Sequence, residues 1–295
     1  MEPNQQVQAK DILDQTTTTA NSVISFDENQ RAIVELDPDH PGFRDLQYRE
    51  RRNQIAQIAF DFIPGNPVPV APYTDEENQA WVEIMGHLQP LHETHAIKRL
   101  VQAGKALDLP TDRIPQLHEV NDKLSKLTGF RLEPAGGLVT PKVFLTRLGQ
   151  GTFMSTQYIR HSSSPLYTPE PDVVHEIAGH AVTLACPEMA KLNLLLGQTA
   201  AKTRSEEELE RLGRIYWFTI EFGVTMEDNE VKAYGAGLLS SAGELANIKE
   251  VELRPFDLDA IEAQDYDVTK YQPFLFCAES FEQFETAVRE RLENW

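Results

Sequence analysis

Apolar side chains recur at intervals of three and four residues along much of this chain, the spacing that lines one face of an α-helix. Ile55, Ile58, Ala59 and Phe62 fall on one such face, and Trp81, Ile84, Met85 and Leu88 on another. Between them Pro64-Gly65-Asn66-Pro67 forces a connecting loop. A further helical stretch spans residues 114–127, opened by Pro110-Thr111-Asp112, and a Gly- and Pro-containing segment at 134–141 leads into residues 143–148. Helical spacing dominates residues 172–226, interrupted by a charged turn at 204–210, and the last helix covers residues 281–292. Ahead of these, residues 1–35 are rich in Gln, Asn and Thr and show little helical periodicity. They predict a disordered polar tail, ending near the turn cluster Asp39-His40-Pro41-Gly42. The pattern predicts a mainly α single domain over residues 36–295 with a few short strands.

Composition narrows the class of partner. With 295 residues and 41% hydrophobic side chains, the chain is long and apolar enough for a globular core. Its formal net charge of -19 repels phosphate backbones and anionic lipid, so neither nucleic acid nor membrane is an expected partner. Two cysteines, Cys186 and Cys277, are too few for a disulfide framework and suit a reducing compartment. The first residues lack the basic-then-apolar pattern of a signal peptide, and no apolar run reaches membrane-spanning length. A cytoplasmic location is expected.

The densest chemistry lies in Pro171-Asp172-Val173-Val174-His175-Glu176-Ile177-Ala178-Gly179-His180. Pro171-Asp172 suits the first turn of a helix, with the acid at its positive end. The histidines are five apart rather than the four of a zinc-protease helix, which sets them well apart around an ideal α-helix. They converge on one ion only where the helix ends or bends, and Gly179 permits that. A surface histidine beside a core histidine fits the same text. Glu221 decides more, because it lies in the most apolar and aromatic run, Ile215-Tyr216-Trp217-Phe218-Thr219-Ile220-Glu221-Phe222-Gly223-Val224. Burying an ionised carboxylate without a partner costs several kcal/mol, so a cation must meet it. Arg214 is one candidate, and a metal already held by two histidines is the other. Two histidines and one carboxylate on one face of an octahedron form the ligand set of non-haem iron oxygenases, although zinc accepts the same donors.

At this point the text resembles a known family. The two segments above, together with Lys232-Ala233-Tyr234-Gly235-Ala236-Gly237-Leu238-Leu239-Ser240-Ser241, resemble the pterin-dependent aromatic amino acid hydroxylases. The likeness runs in family order from His40-Pro41-Gly42-Phe43 through Thr156-Gln157-Tyr158-Ile159-Arg160-His161 to Ala278-Glu279-Ser280-Phe281, over roughly residues 38–292. It looks closer to the animal branch than to the usual bacterial phenylalanine hydroxylases. The resemblance implies a mainly helical basket with a deep iron pocket. It also implies a monooxygenase that hydroxylates an aromatic ring with dioxygen, Fe(II) and tetrahydrobiopterin or a related tetrahydropterin. His175, His180 and Glu221 match the iron ligands. Phe144 matches the aromatic that stacks on the pterin, Gly137 and Val139 the loop lining that site, and Glu176 the acid facing the pterin. Tyr216 matches a tyrosine near iron and pterin, and Tyr73 one on a loop that closes over the pocket. Arg160 matches the receiver of the substrate carboxylate, with Asp172 placed to hold it. Thr168, Pro171, Trp217, Phe222, Gly237 and Ser240 match the walls of the amino-acid pocket.

Two positions bear on the substrate. Trp217 stands where tryptophan hydroxylases carry phenylalanine, and Val268 where tyrosine hydroxylases carry aspartate. Less room and no polar partner both favour L-phenylalanine, giving tyrosine or, by attack one carbon away, meta-tyrosine. Departures from the family text cluster after the second histidine, at Ala181-Val182 and onward to Pro187, and at Met154, where histidine or glutamine is common. Tryptophan or tyrosine hydroxylation is the alternative within the family. A metal-dependent hydrolase with Glu176 as base is the alternative from another class. The animal members' extra N-terminal domain and C-terminal helix have no counterpart in this text, so a monomer is expected.

Overall fold

The computed structural model describes residues 22–137, 139–166, 168, 170–268 and 270–295. Most of its helices begin where the sequence supplies caps. Asp45 accepts from the Gln47 and Tyr48 amides to open α1 (Leu46–Asp61), and a Thr74–Glu77 capping box opens α2 (Asp75–His95). After α3 (Lys98–Leu107), a Gln116–Glu119 box opens α4 (Leu117–Leu127), three residues later than the periodicity suggests. Thr140 and Pro141 start α5 (Pro141–Leu148). Then come α6 (Pro187–Lys202), α7 (Glu206–Tyr216), the short α8 (Ala236–Leu239) and α9 (Ala242–Ala246), α10 (Leu258–Ala263) and α11 (Phe281–Glu293). The charged turn expected at 204–210 is shorter than its charge suggests. Glu206, Glu207 and Glu208 form the first turn of α7, where their charge is favoured by the helix dipole.

Strands are few. β3 (Arg131–Pro134) and β4 (Thr152–Ser155) pair in parallel, and a four-stranded sheet has the order β6 (Glu230–Ala233), β5 (Val224–Glu227), β8 (Phe274–Ala278), β7 (Glu252–Pro255). The main core joins the inward faces of the helices, with Trp81, Phe153, Phe218, Tyr234 and Phe284 among its fully buried large side chains. No helix among the described residues is long and apolar enough to cross a membrane.

The expected tail needs correction. Residues 1–21 lie outside the described residues, but β1 (Ser22–Phe26) and β2 (Ala32–Leu36) form an antiparallel hairpin. Ala32, Val34 and Leu36 alternate inward to bury a small core with Ala56 of α1, and period two rather than 3.6 is the signal that matters here. The Ala32 and Val34 amides donate to the Gln57 and Asn53 side chains of α1, at 2.7 and 2.8 Å, which fixes the hairpin to the helix.

Candidate active site

The histidine pair stands on a π-helical segment, His175–Ala181. In an α-helix, residues five apart sit about 140° apart in projection. The wider π turn closes hydrogen bonds from i to i+5, so a five-residue spacing becomes one turn. His175 and His180 accordingly meet, with Nε2 atoms 3.0 Å apart. Gly179 serves a different end from the bend expected of it. A Cβ there would lie 2.5 Å from the Ala236 carbonyl oxygen, so glycine lets α8 rest on the histidine segment. Asp172 caps the helix instead of occupying its first turn: its Oδ1 accepts from the His175 amide at 3.1 Å.

Glu221 ends a second π-helical segment, Trp217–Glu221, and its backbone is backed by Gly235, where a Cβ would lie 2.3 Å from the Glu221 carbonyl oxygen. Arg214 does not meet it: that guanidinium donates to Asp265 Oδ1 at 2.8 Å and to the Glu262 carbonyl at 3.2 Å. The Glu221 carboxylate lies 2.9 Å from His180 Nε2 and 3.6 Å from His175 Nε2. Burial works to raise its carboxyl pKa, but the two imidazoles overcome this and hold it at about 2. Burial lowers His175 to about 4 and keeps it neutral. Its tautomer follows from its partner. Ser240 Oγ donates to the Gly237 carbonyl at 3.1 Å, so it accepts from His175 Nδ1–H at 2.9 Å and leaves the Nε2 lone pair free. One donor atom from each of His175, His180 and Glu221 lies within 4.8 Å of the others. Two nitrogens and a carboxylate converging in a buried site fit a divalent cation.

Around this centre lies a cavity of about 550 Å³, within the range of small-molecule sites. Gly137, Val139, Phe144, Arg160, Thr168, Pro171, Glu176, Tyr216, Trp217, Phe222, Gly237 and Ser240 line it together with the three candidate ligands. Arg160 is buried, and its Nε and Nη2 fork onto Asp172 at 2.9 and 2.8 Å. Burial works to raise the Asp172 pKa, and the Arg160 guanidinium outweighs it, so the pair stays charged. Burial raises Glu176 to about 7, although its Oε1 accepts from the Thr156 amide and hydroxyl at 3.1 and 2.8 Å. Phe144 is fixed edge-on between Phe153 and Tyr216, with centroids at 5.4 and 5.6 Å. The Tyr216 hydroxyl is buried in this wall close to the Glu221 carboxylate, whose charged form it helps to stabilise.

Tyr73 is not in this wall. Its hydroxyl donates to the Gln157 carbonyl at 2.9 Å, and its ring packs beside a cluster of Ile55, Ala71 and Tyr158. Glu244, Tyr266, Lys270 and Tyr271 also line the cavity without having been singled out in the sequence. Three of these belong to the loop before β8. Its aromatic residues carry no periodic or motif signal.

Comparison with known proteins follows the same outline. Residues 12–294 match the family described as biopterin-dependent aromatic amino acid hydroxylase. The chain belongs to that family. Tyrosine 3-monooxygenase of Bos taurus is 45% identical over 277 residues, covering 90% of this chain and 56% of that protein. Phenylalanine-4-hydroxylase of Rattus norvegicus is 42% identical over 276 residues, covering 92% of this chain and 59% of that one. The chain thus spans a little over half the length of the curated relatives it matches. Among solved structures, Chromobacterium violaceum phenylalanine hydroxylase with bound iron(III) and 7,8-dihydrobiopterin superposes with a TM-score of 0.70 at 28% identity, covering 76% of this chain and 82% of that one. The apo cold-active phenylalanine hydroxylase of Colwellia psychrerythraea gives 0.71 at 29% identity, covering 76% and 87%. Membership in this hydroxylase family sets aside the hydrolase alternative.

Proposed function

We propose that this hydroxylase-family chain oxidises the ring of L-phenylalanine with dioxygen, ferrous iron and a tetrahydropterin, giving tyrosine. The observation that carries the reading is the convergence of His175, His180 and Glu221 in a cavity whose wall also holds the buried Arg160 guanidinium. Iron with a bound tetrahydropterin supplies the reductive activation of dioxygen. The side chains do the rest. With His175, His180 and Glu221 as its only protein ligands, a bound iron would keep coordination positions open to the cavity. Arg160, held flat by Asp172, offers its remaining N–H groups to an amino-acid carboxylate, while Thr168, Pro171, Gly237 and Ser240 shape the space around it. Phe144 offers a ring for the pterin to stack on, beside the Gly137 and Val139 loop, and Glu176 is poised to share a proton with it. Trp217 and Phe222 wall the aromatic ring.

Val268 lines the same cavity with an apolar side chain, which favours an unsubstituted ring. A second reading, hydroxylation of L-tyrosine, is favoured by the 45% identity to a tyrosine 3-monooxygenase. The deciding experiment incubates the protein with ferrous iron, tetrahydrobiopterin and each aromatic amino acid, then separates the tyrosine isomers. Tyrosine from phenylalanine is expected. Preferred turnover of tyrosine or tryptophan would overturn the substrate assignment, and meta-tyrosine as main product would overturn only the ring position.

A further inference from the structure

We infer that Gln272 is a positioning residue for the substrate wall, tying Trp217 to the loop at the cavity mouth. The inference rests on the proposed aromatic amino acid site. Gln272 lies two residues before β8 and is only 7% exposed, yet it does not line the cavity. A buried primary amide must place two donors and an acceptor. Here Oε1 accepts from Trp217 Nε1 at 3.0 Å, and Nε2 donates to the Lys270 carbonyl at 3.0 Å and, at longer range, to the Asp267 carbonyl at 3.4 Å. The Gln272 amide N–H donates to Glu244 Oε1 at 3.1 Å, which anchors the residue to α9.

The loop has no regular backbone pairing to fix its path, although Arg214 reaches Asp265 at one end and Lys270 pairs with Asp267 within it. Val268 and Tyr271 are 51% and 47% exposed, and residues 265–268 and 270–271 have no helical or strand pairing. Yet the loop contributes Tyr266, Val268, Lys270 and Tyr271 to the cavity. Tyr266 stacks on the Trp217 indole at 4.5 Å and 13°, and Phe222 leans on it at 4.7 Å. Trp217 opens the π-helical segment that ends at Glu221, so the angle of the indole is set relative to a candidate metal ligand. Gln272 holds both parts: the indole by its only polar atom, and the loop by two carbonyls. Without it the indole and the mouth loop are linked only by the Tyr266 stacking and contacts at the loop's ends, and a ring lying on the indole is held less closely at its distance from the metal centre.

The test compares wild type with Gln272→Met, close in size but without hydrogen-bonding groups, and with Gln272→Glu, which turns both donors into an oxygen facing two carbonyls. Hydrogen exchange of residues 265–271 is expected to accelerate in Gln272→Met and more in Gln272→Glu. KM for L-phenylalanine should rise about five- to tenfold, the size of losing one or two neutral hydrogen bonds. KM for the tetrahydropterin should hold, while the yield of hydroxylated product per pterin oxidised falls. Trp217→Phe, which lacks the indole N–H, should also speed loop exchange, and adding Gln272→Met to it should cost less than in wild type. This variant carries the test should Gln272→Met fail to fold. Unchanged loop exchange, or faster exchange with unchanged KM and coupling, overturns the inference while wild-type turnover leaves the proposed function standing. A wild type inactive on every aromatic amino acid instead sinks that function, and with it the substrate role of Gln272.

Discussion

The hydroxyl of Ser240 shows how much one small side chain decides. It gives its hydrogen to the Gly237 carbonyl, so His175 must present Nδ1–H to it and keep the Nε2 lone pair toward Glu221 and His180. Ser240→Ala should therefore leave the fold intact but weaken iron binding roughly 10- to 100-fold, as loss of a histidine's outer partner commonly does. Competition with a chelator of known affinity measures this without relying on turnover. A second residue-scale effect lies away from the metal centre. His92 of α2 donates Nε2–H to the Leu239 carbonyl at 2.6 Å, and burial lowers its pKa below the usual 6.5 despite that bond. A folded pKa below the unfolded one means the unfolded chain binds the proton more readily, so stability is lost as pH falls from 6.5 toward the folded value. Wild type should lose stability more steeply than His92→Gln across that window, by at most about 1.4 kcal/mol per pH unit. Parallel Tm curves for the two proteins would contradict this.

At the scale of elements, the site depends on two π-helical segments and the short helix packed against both. The five-residue spacing of the histidines would disperse them on an α-helix, and the π turn restores convergence. Gly179 and Gly235 then allow backbone to approach backbone, α8 seating on the first segment and residue 235 on the end of the second. Gly179→Ala would push a methyl group against the Ala236 carbonyl, with no flexible side chain to yield. It should destabilise the protein by about 1–3 kcal/mol, read from denaturant unfolding, and should weaken iron binding as the two ligand segments shift. A variant as stable as wild type would show that α8 can retreat freely. The N-terminal hairpin gives the opposite lesson about local signals. Its three inward residues are too few to stand out in a polar stretch, and what keeps it in place is tertiary: their packing against Ala56 and the amide donors satisfied by Asn53 and Gln57 of α1.

For the molecule as a whole, a metal held by the three converging candidate ligands would link binding to folding. Ferrous iron at about 100 times its Kd should stabilise the folded state by about 2.7 kcal/mol, a rise in Tm of roughly 5 °C or more. The shift should vanish in His180→Ala, and an equal shift in that variant would place the metal elsewhere. The sequence determined the helical class, the caps that start most helices, and the candidate residues that the fold gathers round one cavity, because propensities, capping and motif likeness act locally along the chain. It also required a cation for Glu221, since an isolated carboxylate cannot be buried in so apolar a run. Only the tertiary structure decided which cation was available, by sending Arg214 to Asp265 and bringing both histidines to Glu221. The same holds for the π geometry, the close approach at Gly179, the place of Tyr73 outside the pocket and the Gln272 link. Each depends on groups distant in sequence competing for one space or one hydrogen bond, and that competition is settled only when the chain is folded.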